Sequence, residues 1–185
     1  MPRRRYIFDP PERFAAGTVG EPGNRTFFLQ AREGTRVISV VLEKAQVAVL
    51  AERLAVLLAE LERRGIAVDA EDPTGADTSP LDEPLVEAFR AGSLTLGWDG
   101  GAGVVLVEAR AQDENGEAID PDDDDDEDED GPDLLRVRFS ATAARTFVER
   151  AARVVASGRP PCPLCGNPLD PQGHICPRRN GHYVN

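Results

Sequence analysis

Two separate stretches of this chain carry one strand–helix pattern in one register. In the units that start at Val40 and at Val137, residues Val47, Leu50, Ala51, Leu54, Leu57 and Leu58 fall on Ala144, Phe147, Val148, Ala151, Val154 and Val155. Glu52-Arg53 falls on Glu149-Arg150 without a gap. Apolar residues recurring every three and four positions form one stripe along a helix, so a whole buried face is reproduced. Upstream, the strand Thr26–Arg32 matches Val104–Arg110, both ending in Ala-Arg. We read two copies of a β-β-β-α unit, one over about residues 4–65 and one over about 85–158. Such a unit cannot bury its apolar face alone. The expected fold is therefore α+β: a pseudo-symmetric antiparallel sheet or split barrel with two main helices against it.

Within each copy the punctuation agrees. Arg4 to Phe8, Phe14 to Val19, Thr26 to Ala31 and Arg36 to Leu42 read as strands, the last two as a hairpin around Glu33-Gly34. A helix follows from about Lys44 to Arg64, with Gly65 placed to end it. Ile66 to Pro84 is rich in Asp, Gly and Pro and reads as loop, and Glu83 to Arg90 as a short helix. Ser93 to Trp98, Val104 to Arg110 and Leu134 to Phe139 read as strands. Ser140 then caps a helix from about Ala141 to Ala156.

Charge is concentrated in one place. The net charge is −12, but residues 113–133 hold fourteen carboxylates and no basic residue, and without them the rest carries +2. The register between the copies shifts from 78 to 97, and this segment accounts for the 19-residue excess of the second copy over the first. A run such as Asp122–Asp130 buries nothing and repels itself, so a disordered acidic insertion is expected. It lacks the ligand spacing and central Gly of a calcium loop. A solubilising loop, a mimic of nucleic acid and a lid over nearby arginines are its remaining readings. The triplet Arg3-Arg4-Arg5 reads as a solvated strand end or a phosphate-binding patch. No apolar run is long enough to insert in a membrane, and no secretory h-region follows the basic N-terminus. A cytoplasmic protein is expected.

The last residues, 159–185, form a separate tail holding all three cysteines and both histidines. Cys162 and Cys165 have the two-residue spacing of a zinc knuckle, and Gly166 stands where the backbone must turn. Asn167-Pro168 and Asp170-Pro171-Gln172-Gly173 are turn formers that return the chain to His174 and Cys176. Three thiolates and one imidazole complete the tetrahedral shell of a structural Zn2+ site, with Cys162, Cys165, His174 and Cys176 as ligands. His182 is the competing fourth ligand, and three reduced thiols that never meet are the competing reading of the cluster. An odd cysteine count argues against disulfides. A closed shell has no open position for water, so no catalytic role is assigned to it.

Several segments together resemble an uncharacterised actinobacterial family, domain of unknown function 3090. They are Tyr6 to Phe8, Phe27–Ala31, Glu108–Arg110, Cys162–Gly166 and Gly173–Arg178. The resemblance spans most of the chain and implies no activity.

The sequence shows no Gly-rich phosphate loop and no nucleophile elbow. The leading expectation is a non-enzymatic interaction or adaptor protein with a protein partner and a structural zinc site. The alternative is an enzyme or small-ligand binder using a cleft between the repeats, with Glu108 and Arg110, or Gln30 and Arg32, facing it. A nucleic-acid partner is disfavoured: aromatic residues are only 5% and the acidic run opposes it.

Overall fold

The computed structural model describes residues 2–66, 77–120, 130–158, 162–166, 169 and 176. Its elements are β1 (Arg5–Phe8), β2 (Arg13–Val19), β3 (Thr26–Glu33), β4 (Arg36–Leu42), α1 (Lys44–Arg63), β5 (Glu87–Asp99), β6 (Val104–Ala111), β7 (Leu134–Phe139) and α2 (Ala141–Ala156). The strands form one seven-stranded sheet in the order β1-β7-β6-β5-β4-β3-β2.

The fold is α+β, but the sheet is mixed rather than antiparallel. Strands β2-β3-β4 and β5-β6-β7 are antiparallel meanders. They join through a parallel pair, β4 with β5, and β1 lies parallel to β7. Parallel neighbours need a crossover. Helix α1 with the loop behind it supplies one between β4 and β5. The hairpins β3-β4 and β5-β6 were legible from alternation and their turns, whereas the parallel joins depend on where the helices return the chain.

β1 and β2 sit at opposite ends of the hydrogen-bonded order, yet residues 9–12 alone connect them. The sheet must curl to allow this. Arg36 at the start of β4 donates to the Ile7 carbonyl at 3.0 Å, and its guanidinium lies 4.5 Å from the Phe8 ring centroid. Arg4 clamps β1 to the start of β7 by donating its backbone N–H to Asp133 at 2.8 Å and pairing with that carboxylate.

One sheet face carries Leu29, Val40, Phe89, Val107 and Val137 and is covered by both helices in a single core. α1 contributes Val47, Leu50, Leu54, Leu58 and Leu61, and α2 contributes Ala144, Phe147 and Ala151. Each fully buried large side chain of this kind stabilises by about 1.5–3 kcal/mol. Ser140 Oγ accepts the Ala143 N–H at 3.1 Å and caps α2 as its sequence implies. Just past α1, Gly65 (φ +74°) turns the chain, and the Ile66 N–H closes on the Leu61 carbonyl at 3.0 Å.

Glu83 to Arg90 is not a helix. From Glu87 the chain is already in β5, with Phe89 opposite Val40. Short apolar runs do not separate the two periods by themselves, and burial beside β4 decides for the strand.

The second sheet face is covered by two loops. A Cβ on Gly17 would meet the Leu81 side chain at 2.5 Å, so residues near 81 press on β2. A Cβ on Gly92 would meet the Ala118 Cα at 3.0 Å, so the 112–118 turn presses on β5. That turn is built by Asp113, whose carboxylate accepts the N–H groups of Asn115 and Glu117 at 2.9 and 2.7 Å. The acidic residues 121–129 lie outside the described residues.

Candidate metal centre and the cleft between the halves

The knuckle begins with local backbone geometry. The Gly166 N–H donates to the Cys162 carbonyl at 2.8 Å, with Gly166 at φ +76°. A side chain there would strain the turn. The Leu164 N–H points at Cys162 Sγ from 3.4 Å. That backbone hydrogen bond, with one from Cys165, holds the Cys162 thiol below its ordinary range, which favours the thiolate, the form that ligates metal.

The sulfurs of Cys162, Cys165 and Cys176 all lie within 4.8 Å of one another, and Cys162 and Cys176 are buried. Cys162 Sγ and Cys176 Sγ stand 4.0 Å apart. A disulfide needs about 2.05 Å, so this spacing is not one. A tetrahedral zinc with Zn–S bonds of about 2.3 Å places its sulfurs about 3.8 Å apart, close to that distance. The three thiols therefore meet, and their separation fits a metal. His174 and His182 both lie outside the described residues.

Three of the four polar strand residues expected to face a cleft, Gln30, Glu108 and Arg110, have gone elsewhere. Gln30 is buried. Its Nε2 donates to Ser39 Oγ at 3.0 Å and to the Asp82 carbonyl at 2.9 Å, and its Oε1 accepts the Asp82 N–H at 2.7 Å. Glu108 and Arg110 are likewise buried and pair at 2.9 Å, with Thr95 Oγ1 donating to Glu108 at 3.3 Å and Arg136 pairing with the same carboxylate. Period-two alternation placed these residues together on one face. It could not show that loops cover that face.

Arg32 does reach a cleft. A cavity of about 800 Å³ lies between the halves, with Arg13, Phe14 and Arg32 from the first and Arg138, Phe139 and Thr146 from the second. Its wall is held by Asp77 in the 77–82 loop. Arg13 grips that carboxylate with two bonds of 2.9 and 3.1 Å, and Arg150 Nη1 adds a third contact at 3.0 Å. Arg13 also pairs with Asp82 at 2.7 Å. Arg150 is buried and donates Nε to the Ala16 carbonyl at 2.6 Å. Burial pushes the Asp77 carboxyl up. The Arg13 hydrogen bond, the charges of Arg150 and Arg13 and the Ser79 N–H outweigh it, leaving Asp77 below the usual range. Burial also pushes the Arg150 guanidinium down, and Asp77 only partly offsets this.

Sequence reasoning missed Asp77, Asp82 and Arg150. Each sits more than 50 residues from most of its partners, and no local pattern pairs charges over such separations.

A profile for proteins of unknown function, DUF3090, matches residues 6–176. The chain belongs to the DUF3090 family. No curated protein and no solved structure matches it. The match takes in the curled sheet, both helices and all three clustered cysteines of this DUF3090 protein. Among its described residues, no helix is long and apolar enough to cross a membrane.

Proposed function

We propose that this DUF3090 protein is a non-catalytic interaction protein whose tail is folded by a structural zinc ion. The ligands in this reading are Cys162, Cys165, Cys176 and His174. The convergence of three sulfurs at zinc-compatible spacing carries it. A bound zinc would supply folding energy to a segment with little core of its own, on the order of 10 kcal/mol at neutral pH. Four protein ligands would leave no site for substrate, which makes docking the natural use of such a tail.

The scaffold beneath is read as two copies of one unit. The support is the pairing pattern: β5 lies parallel to β4 at its start and antiparallel to β6 beyond, while β1 and β2 divide the same two roles between β7 and β3.

Elemental analysis of the purified protein tests the site. One zinc per chain is expected, lost in Cys176→Ser and in His174→Gln and kept in His182→Gln. Zinc retained in His174→Gln would remove that ligand, and protein without zinc would end the reading. Pull-down from native extract with wild type and Cys176→Ser tests docking. A partner held only by the metal-loaded form is expected, and no difference between the two counts against an adaptor.

A second reading has its own observation. The cleft between the halves is large enough for a small molecule, and guanidinium groups from both halves line it.

A further inference from the structure

We propose that this cleft binds a small amphipathic anion, its phosphate or carboxylate head held between Arg32 and Arg138 and its apolar body against Phe14 and the prolines of the β1–β2 link. The proposal rests on the reading of the cleft as a ligand site and adds the class of ligand.

The three lining arginines are not equivalent. Arg13 is committed: its side chain is 15% exposed and carries two carboxylates of the 77–82 loop. Arg32 and Arg138 each keep a loose partner on the rim. Arg32 Nη1 pairs with Glu12 at 2.6 Å, and that carboxylate is 53% exposed. Arg138 Nε meets Asp9 at 3.5 Å, and that carboxylate is 51% exposed. Exposed ion pairs of this kind contribute about 0–1 kcal/mol. A ligand anion can therefore replace them at little cost while using both guanidiniums at once.

Arg32 also has an unused donor. Its Nε is buried and makes no hydrogen bond, and Asp82 stands 3.3 Å away as an ion pair only. Being buried, that atom faces Asp82 rather than the cleft, so Arg32 meets an anion through Nη1, the atom that Glu12 now holds. Arg138 keeps a second, better-fixed partner meanwhile. Asp99 holds Arg138 Nη2 at 2.7 Å and is itself fixed by the Gly101 and Ala102 N–H groups, both at 3.0 Å. The first turn of α2, whose Ser140 and Ala143 line the same cavity, carries no acidic side chain. Its N-terminal field therefore favours an anion there.

The other lining atoms select the body of the ligand. Phe14, Pro10, Pro11 and Val104 supply apolar lining to the same cavity as the arginines. Inorganic phosphate would use half of the site, and a neutral aromatic the other half.

Titration of the full-length, metal-loaded protein by NMR tests this, with phenyl phosphate, phenylacetate, inorganic phosphate and benzyl alcohol as probes. Saturable binding of phenyl phosphate or phenylacetate is expected, weakened about tenfold in Arg32→Gln and in Arg138→Gln. Inorganic phosphate should bind more weakly than phenyl phosphate. The better of the two aromatic anions names the head group. Arg145→Gln, which lies outside the cleft, controls for charge, and thermal melting of each variant controls for folding. Anion binding equal in wild type and both cleft variants overturns the proposal. Benzyl alcohol binding as tightly as the anions overturns the anionic class but leaves the cleft a ligand site. No probe shifting cleft resonances overturns both.

Discussion

In this molecule each helix meets the first strand of the other half, and the two meetings differ. Where α2 meets β2, Phe14 is wedged between Phe147 and Phe139, ring centroids 4.8 and 5.0 Å apart. Arg150 bonds through to the backbone of β2, and the 77–82 loop is stapled across the junction. Where α1 meets β5, no aromatic wedge is present among the described residues. Gln46 spans the gap instead, its Nε2 donating to the Ala91 and Gly92 carbonyls at 3.3 and 3.2 Å, where the strand's register shifts. An apolar groove of about 330 Å³ remains, lined by Val49, Leu94 and Leu96. Val49 and Val56 are 52% and 62% exposed. Matched helix stripes therefore do not produce matched junctions. The residues one step off the stripe, and the loops laid over it, decide whether a seam becomes a charged cleft or an apolar groove.

Truncating the aromatic wedge should break the tighter junction most. Phe147→Ala is expected to cost about 4 kcal/mol, against about 3 kcal/mol for Leu50→Ala at the matching position of α1. Urea denaturation at neutral pH measures both. Equal costs would mean the two seams are packed alike.

The staple should matter next. Asp77→Asn leaves Arg150 buried with a weaker partner and should cost about 2 kcal/mol. The effect has a pH signature. The folded carboxyl lies below its unfolded value of about 3.9. Its stabilisation is therefore fully present above about pH 4 and is lost as pH falls through the depressed folded value. Stability curves of wild type and Asp77→Asn should converge as pH is lowered from 4 towards 2. A constant gap over that range would assign the cost to packing.

The smallest effect belongs to the exposed side of α1, where Val49 lines the open groove and Val56 faces solvent. Val49→Lys and Val56→Lys should each change stability by less than about 0.5 kcal/mol. Thr146→Lys, at the matching position of α2, should lower binding of phenyl phosphate if it fills the cleft. A loss of more than about 1 kcal/mol in Val49→Lys would show that the groove is packed in solution and sharpen the contrast into a different one.

Much of the scaffold could be read from residue order. The stripes of α1 and α2, the Ser140 cap, the turns at Gly65 and Gly166 and the hairpins on either side of Gly34 and Gly103 all follow from neighbours a few positions apart. The meeting of Cys162, Cys165 and Cys176 was legible for the same reason, because short turn-rich spacing holds ligands near one another. The buried fates of Gln30, Glu108 and Arg110 were not. Alternation showed which side of the strand they occupy, and only the loops above that side made it an interior.

Sequence by itself determined the periodic elements, the apolar stripe of each helix and the clustering of the thiols, since each is written within a turn or two of chain. Tertiary structure alone decided the parallel joins, the curling that brings β1 within reach of Arg36, and the cleft with its gripping carboxylates. Those depend on contacts between residues from 29 to 134 positions apart. Such contacts form only after the core has brought the halves together, and no local preference encodes them.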